Sequence, residues 1–143
     1  NERGVLSIEL TMVGTGAYPS GYSKNVVVDL KSGNVITPDD AFANLPGLAA
    51  LVKKAQQEEI KETKITLKRD EPDFDGSEYF NKAKFTVKEL AGFSVDKSGV
   101  TFRYDYGFPH VIQAMEPTGE YKYTWVQLRP FIKKGGPFGG FVN

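Results

Sequence analysis

The sequence predicts an α+β fold, an antiparallel β-sheet packed against one main α-helix with short helical turns. Three observations carry this. Period-two alternation recurs near both ends of the chain, residues 46–62 follow helical spacing, and turn signals separate the alternating runs. A length of 143 residues suits one domain of about 100–150 residues. No repeat, linker or low-complexity block divides residues 1–143, so a single domain is expected.

Leu6, Ile8, Leu10 and Met12 alternate with Ser7, Glu9 and Thr11, the period of a half-buried strand. Residues 14–21, rich in glycine, read as a loop. Val26, Val28 and Leu30 resume the alternation, and residues 31–34 form a tight turn. A connection this short makes the pair antiparallel, because a parallel return needs a longer crossover. Thr37, Pro38, Asp39 and Asp40 have the form of a helix start, a hydroxyl cap, Pro at the first position and acids in the first turn. The helix proper is expected from Pro46 to Glu62, with Leu48, Leu51, Val52, Ala55 and Ile60 on its apolar side. Ile65 and Leu67 suggest a short strand, and residues 69–77 an acidic loop.

Phe85 and Val87 open an alternating stretch that Phe93 and Val95 continue past a bend at Gly92. Residues 96–99 make a hairpin turn, with Gly99 free to take positive φ. Val100, Phe102 and Tyr104 form the partner strand, and Tyr121, Tyr123 and Trp125 a last one. Residues 127–134 close with a helical turn, and the glycine-rich tail from Gly135 is expected to be loose.

Composition excludes several functions. Eighteen basic residues balance eighteen acidic ones, so no net field draws nucleic acid or anionic lipid. The absence of cysteine removes thiolate metal sites, thiol nucleophiles and disulfides. No apolar run approaches the ~20 residues of a membrane span. The start at Asn1 without Met is read as a processed or trimmed chain, its signal or anchor upstream.

Candidate chemistry is sparse. Gly14 and Gly16 follow a strand, but the third glycine of a dinucleotide loop would fall at Pro19 and no helix follows. Asp73, Asp75 and Gly76 resemble the middle of a calcium loop, yet the closing bidentate acid would fall at Lys82; no metal or cofactor is expected. His110 is the only histidine, too few for a zinc enzyme. No serine sits in a nucleophile elbow. Asp105 and Glu116 are the acids in the most apolar company, as acid–base chemistry on glycosides requires. The richest segment runs from Tyr104 through Asp105, Tyr106 and Phe108 to His110. Aromatic rings with polar tips suit recognition of sugars or protein surfaces, and equally suit closing a sheet edge.

The order of these elements resembles a bacterial extracytoplasmic family, the domain of unknown function that forms the C-terminal part of RsiV-type anti-sigma factors. The resemblance rests on residues 6–8 leading into 14–19, on 28–33 and 36–42, and later on 93–102, 104–110, 126–131 and 135–136. The chain departs from the pattern at Tyr18, where His is usual, and in residues 106–110. The resemblance implies an antiparallel sheet backed by helix on the envelope side of the membrane, where the RsiV-type domain is a lysozyme receptor. Related domains accompany peptidoglycan deacetylases. The expected function is therefore a non-catalytic module binding a lysozyme-like protein or a peptidoglycan fragment through loops 14–22 and 107–119, with Tyr18, Tyr104, Asp105, Tyr106, Phe108 and His110 as contacts. An accessory domain of a larger cell-wall enzyme is the second reading, and a hydrolase using Asp105, Glu116 or His110 the third.

Overall fold

The computed structural model describes residues 3–15 and 19–142. It is α+β, as expected, but its strands fall into two sheets. Strands β1 (Val5–Thr15) and β2 (Pro19–Asp29) form an antiparallel ribbon. Strands β3 (Phe93–Val95), β4 (Gly99–Arg103) and β5 (Glu120–Thr124) form a second antiparallel sheet in the order β3-β4-β5. Between them lie α1 (Pro38–Ala41), α2 (Leu45–Asp70) and α3 (Ser77–Lys82); α4 (Trp125–Leu128) follows β5.

The ribbon is longer than alternation suggests. Pairing continues through Gly14↔Ser20 to Thr15↔Pro19, so most of the expected loop is ladder. Its buried face is also the opposite one. Val5 and Val27 are buried, whereas Leu10 and Met12 are 52% and 67% exposed. Alternation says which side chains share a face, not which face meets the core. Here the choice is made by docking: Ser7, on the Val5 face, accepts the Val95 amide of β3 at 3.1 Å.

Helix α1 is closed by a reciprocal cap. Thr37 Oγ1 accepts the Asp40 amide, and an Asp40 carboxylate oxygen accepts the Thr37 amide at 2.9 Å. Asn44 caps α2 through the Gly47 amide. The strand expected at Ile65 and Leu67 is corrected to helix, for α2 runs on to Asp70. Among the described residues no strand pairs with that segment, and extending an existing helix costs far less than nucleating a new element. Lys68 and Arg69 then complement the negative end of the helix dipole.

Strand structure at Phe85–Val87 is likewise corrected. Residues Val87–Ala91 form a 3-10 turn capped by Thr86 and Glu89, while Phe85 is buried in the core. The turn before β4 is held by Asp96, whose Oδ1 accepts the Ser98 and Gly99 amides. Gly99 does not use its freedom to take positive φ. A glycine is needed because any Cβ there would collide with the Tyr123 carbonyl of β5. The last strand stops at Thr124, which caps α4 with Gln127, so Trp125 begins the helix.

The main core gathers Val5, Val27, Phe42, Leu48, Val52, Phe93, Phe102, Trp125 and Leu128 with their neighbours. The tail belongs to it. Phe138 is fully buried, with ring centroids 5.6 Å from Phe42, 5.5 Å from Trp125 and 6.0 Å from Phe93. The expectation of a loose tail is overturned because one large aromatic outweighs the glycines around it. Phe138→Ala should lower unfolding free energy by about 3–5 kcal/mol in urea denaturation; a change below about 1 kcal/mol would show the tail is not part of the core.

Candidate functional site

The segment Tyr104–His110 leaves β4 and is split between packing and surface. Tyr106 and Phe108 are only 7% and 6% exposed and, with Phe80, form a second small core. Phe108 packs on Tyr79 at 4.5 Å and Phe80 at 5.6 Å. Neither ring presents a face to solvent, so their aromatic area is taken by packing. Tyr104 is half-buried and touches both cores; it meets Tyr106 edge-on at 5.0 Å, and its hydroxyl accepts the Lys84 amide at 2.9 Å. Asp105 and His110 are exposed. The Asp105 carboxylate accepts the Gly107 amide at 2.7 Å, and His110 opens a 3-10 turn to Met115. Tyr18 lies outside the described residues.

The polar centre of this region is a residue that sequence reading passed over. Glu59, on α2, places one carboxylate oxygen 3.0 Å from the Tyr106 hydroxyl and 2.8 Å from the Tyr121 hydroxyl. Its other oxygen accepts the Thr118 hydroxyl at 2.7 Å and the Gly119 amide at 3.1 Å. The two tyrosine hydroxyls are themselves 2.9 Å apart. Four donors on one carboxylate bind α2 to β5 and to both ends of the 106–119 loop. Gly119 is a required glycine: its φ is +61°, and a Cβ would run into the Tyr104 carbonyl. A signal existed in the sequence. Leu48, Val52, Ala55 and Glu59 follow one another at helical spacing, so the acid stands on the apolar stripe.

Burial raises the pKa of both tyrosines well above the ordinary tyrosine value, and the Glu59 carboxylate adds to the rise. One turn earlier, Gln56 is 1% exposed and accepts the Phe85 amide at 2.9 Å, while its Nε2 has no hydrogen-bond partner. Apart from Gln56 Nε2, the donors and acceptors around Glu59 are turned on one another.

The Glu116 carboxyl is raised, chiefly by burial and further by the negative charge of Asp105, although the Phe108 amide opposes the shift from 3.5 Å. In the acidic loop, Asp75 accepts the Ser77 amide at 2.9 Å and Asp70 is paired with Arg69. Among the described residues no group of three or more His, Asp and Glu could hold a metal ion. No described helix is long and apolar enough to cross a membrane.

Neither a family model nor a curated protein matches the chain. The fold is similar to the crystal structure of a DUF3298 family protein from Pseudomonas aeruginosa PAO1, with a TM-score of 0.56 and 19% sequence identity. The likeness covers 91% of this chain and 56% of that one, so the chain spans little more than half the length of its structural neighbour. At that identity the likeness concerns fold: this chain is similar to a bacterial domain of unknown function.

Two outcomes follow from the Glu59 cluster. Glu59→Ala leaves one buried tyrosine hydroxyl and the buried Gly119 amide without an acceptor, since the two hydroxyls can satisfy only one another, and should cost about 2–4 kcal/mol in chemical denaturation. The unfolded chain releases the tyrosine protons near pH 10.0 while the folded chain holds them. Stability is therefore fully present below that pH and falls above it, by up to about 1.4 kcal/mol per pH unit for each tyrosine. Tyr121→Phe should flatten that alkaline decline, measured by denaturation from pH 8 to 12.

Proposed function

We propose that the chain is a non-catalytic binding module of the cell envelope, acting outside the cytoplasm, that recognises a lysozyme-like protein or a cell-wall glycan. The observation that carries this reading is the closure of the Glu59 cluster. The densest set of titratable groups is spent on holding loop 106–119 rigid, which leaves the outer side of that loop as a preformed contact surface. Exposed Asp105, Pro109 and His110 stand on it, over the packed Tyr106 and Phe108. Binding function is commonly carried by loops on a rigid scaffold. The ordered resemblance to the RsiV-type domain supports the envelope location and the class of partner.

Two further readings have an observation each. The structural neighbour carries the matching region inside a longer chain, which favours an accessory domain of a larger envelope protein, such as a polysaccharide deacetylase. The raised Glu116 beside Asp105 is the arrangement an unrecognised hydrolase would use.

Isothermal titration with lysozyme and with soluble peptidoglycan fragments tests the binding reading. Binding to one of them is expected, weakened about tenfold in Asp105→Ala/His110→Ala; no heat with either ligand would sink it. Turnover of a glycan substrate that disappears in Glu116→Gln would replace it with the hydrolase.

A further inference from the structure

A cleft of about 910 Å³ lies between the base of the ribbon with its following turn and the segment after Ile132, and it shares no residue with loop 106–119. Its lining includes Val35, an apolar side chain 57% exposed, beside the buried Val5 and Ile36. Its rim is cationic. Arg3, Lys31, Lys133 and Lys134 stand against Asp29 and Asp40, so the described lining carries a positive excess on a chain of zero formal charge.

The two carboxylates are engaged locally. Asp29 accepts the Lys31 amide and the Ser32 hydroxyl, both at 2.9 Å, and Asp40 accepts the Thr37 amide and hydroxyl. Two of the cations donate to backbone carbonyls, Lys133 to that of Asp39 at 2.9 Å and Arg3 to that of Gly140, and the Lys133 charge also acts on the Asp40 carboxyl. Lys31 and Lys134 have no carboxylate within ion-pair distance among the described residues. All four cationic residues are exposed.

We propose that this cleft binds an acidic glycan, its carboxylate or phosphate groups held by Lys31, Lys134, Arg3 and Lys133 and its sugar C–H faces resting on Val35. The exposed side-chain amide of Asn34 on the rim suits sugar hydroxyls. An acidic peptide fits less well. The strand-like segment beside β2 has already used its neighbouring amides, Gly33 on Asp29 and Thr37 on Asp40. Only Val35, bridged to Val28 through the bonds of its flanking residues, turns its backbone outward, too little for strand addition. The proposal concerns a surface separate from the loop proposed above and stands or falls by itself.

The test is titration of the whole chain with oligogalacturonate, a glycerol-phosphate oligomer, a neutral malto-oligosaccharide and poly-glutamate, each repeated with Lys31→Glu/Lys134→Glu. Binding to at least one acidic glycan is expected, with the stronger of the two identifying the anionic group. It should weaken as salt rises, because exposed charges are screened. The charge-reversed variant should bind about tenfold more weakly or worse, with an unchanged melting temperature because both lysines are on the surface. No binding to either acidic glycan, equal binding by the variant, equal binding of the neutral sugar, or tighter binding of poly-glutamate would each overturn the proposal. Lysozyme titrated in parallel reports on the loop alone.

Discussion

The Glu59 carboxylate and its four donors hold the architecture of the loop side together. Helix α2 has no covalent reason to face β5 at this register, and the 16 residues between Arg103 and Glu120 hold only a 3-10 turn of regular structure. The carboxylate meets both needs. It takes the Tyr121 hydroxyl from the strand, the Tyr106 hydroxyl from the outgoing limb of the loop, and Thr118 and Gly119 from the returning limb. A half-buried acid is costly to desolvate unless its lone pairs are filled, and here they are. The same geometry makes Gly119 obligatory, because its amide must reach Glu59 while the Tyr104 carbonyl presses where a side chain would stand.

This centre gives the two aromatic cores different roles. The main core, closed by Phe138 from the tail, joins the base of the ribbon, α2 and the three-stranded sheet. The smaller core of Phe80, Tyr106 and Phe108 lies under the loop, and Tyr104 belongs to both. The ribbon contributes only its base to this packing. Its outer reach leaves Leu10, Met12 and Val13 mostly exposed.

Local chemistry in the sequence was legible wherever a residue acts on its own neighbours. Thr37, Pro38 and Asp40 announced a capped helix, Asp96 with Gly99 a tight turn, and Phe93 to Phe102 a hairpin, since each is satisfied within a few residues. Ile65, Leu67 and Val87 misled because strand propensity has no force without a partner strand. The aromatic segment was located from composition, but its division into buried Tyr106 and Phe108 and exposed Asp105 and His110 was not. Glu59 carried a readable signal, an acid on an apolar stripe, whose meaning needed the tyrosines opposite it.

By itself the sequence determined the α+β class, the antiparallel pairing of β1 with β2, and the local caps and turns, because periodicity and short-range hydrogen bonds depend on residues close in the chain. Tertiary structure alone decided which face of the ribbon is buried, the meeting of Glu59 with residues about 60 positions away, and the burial of Phe138. It also decided the gathering of Arg3, Lys31, Lys133 and Lys134 around one cleft. Those contacts join segments distant in the chain, and the free energy that selects them is shared among many partners rather than written at any one position.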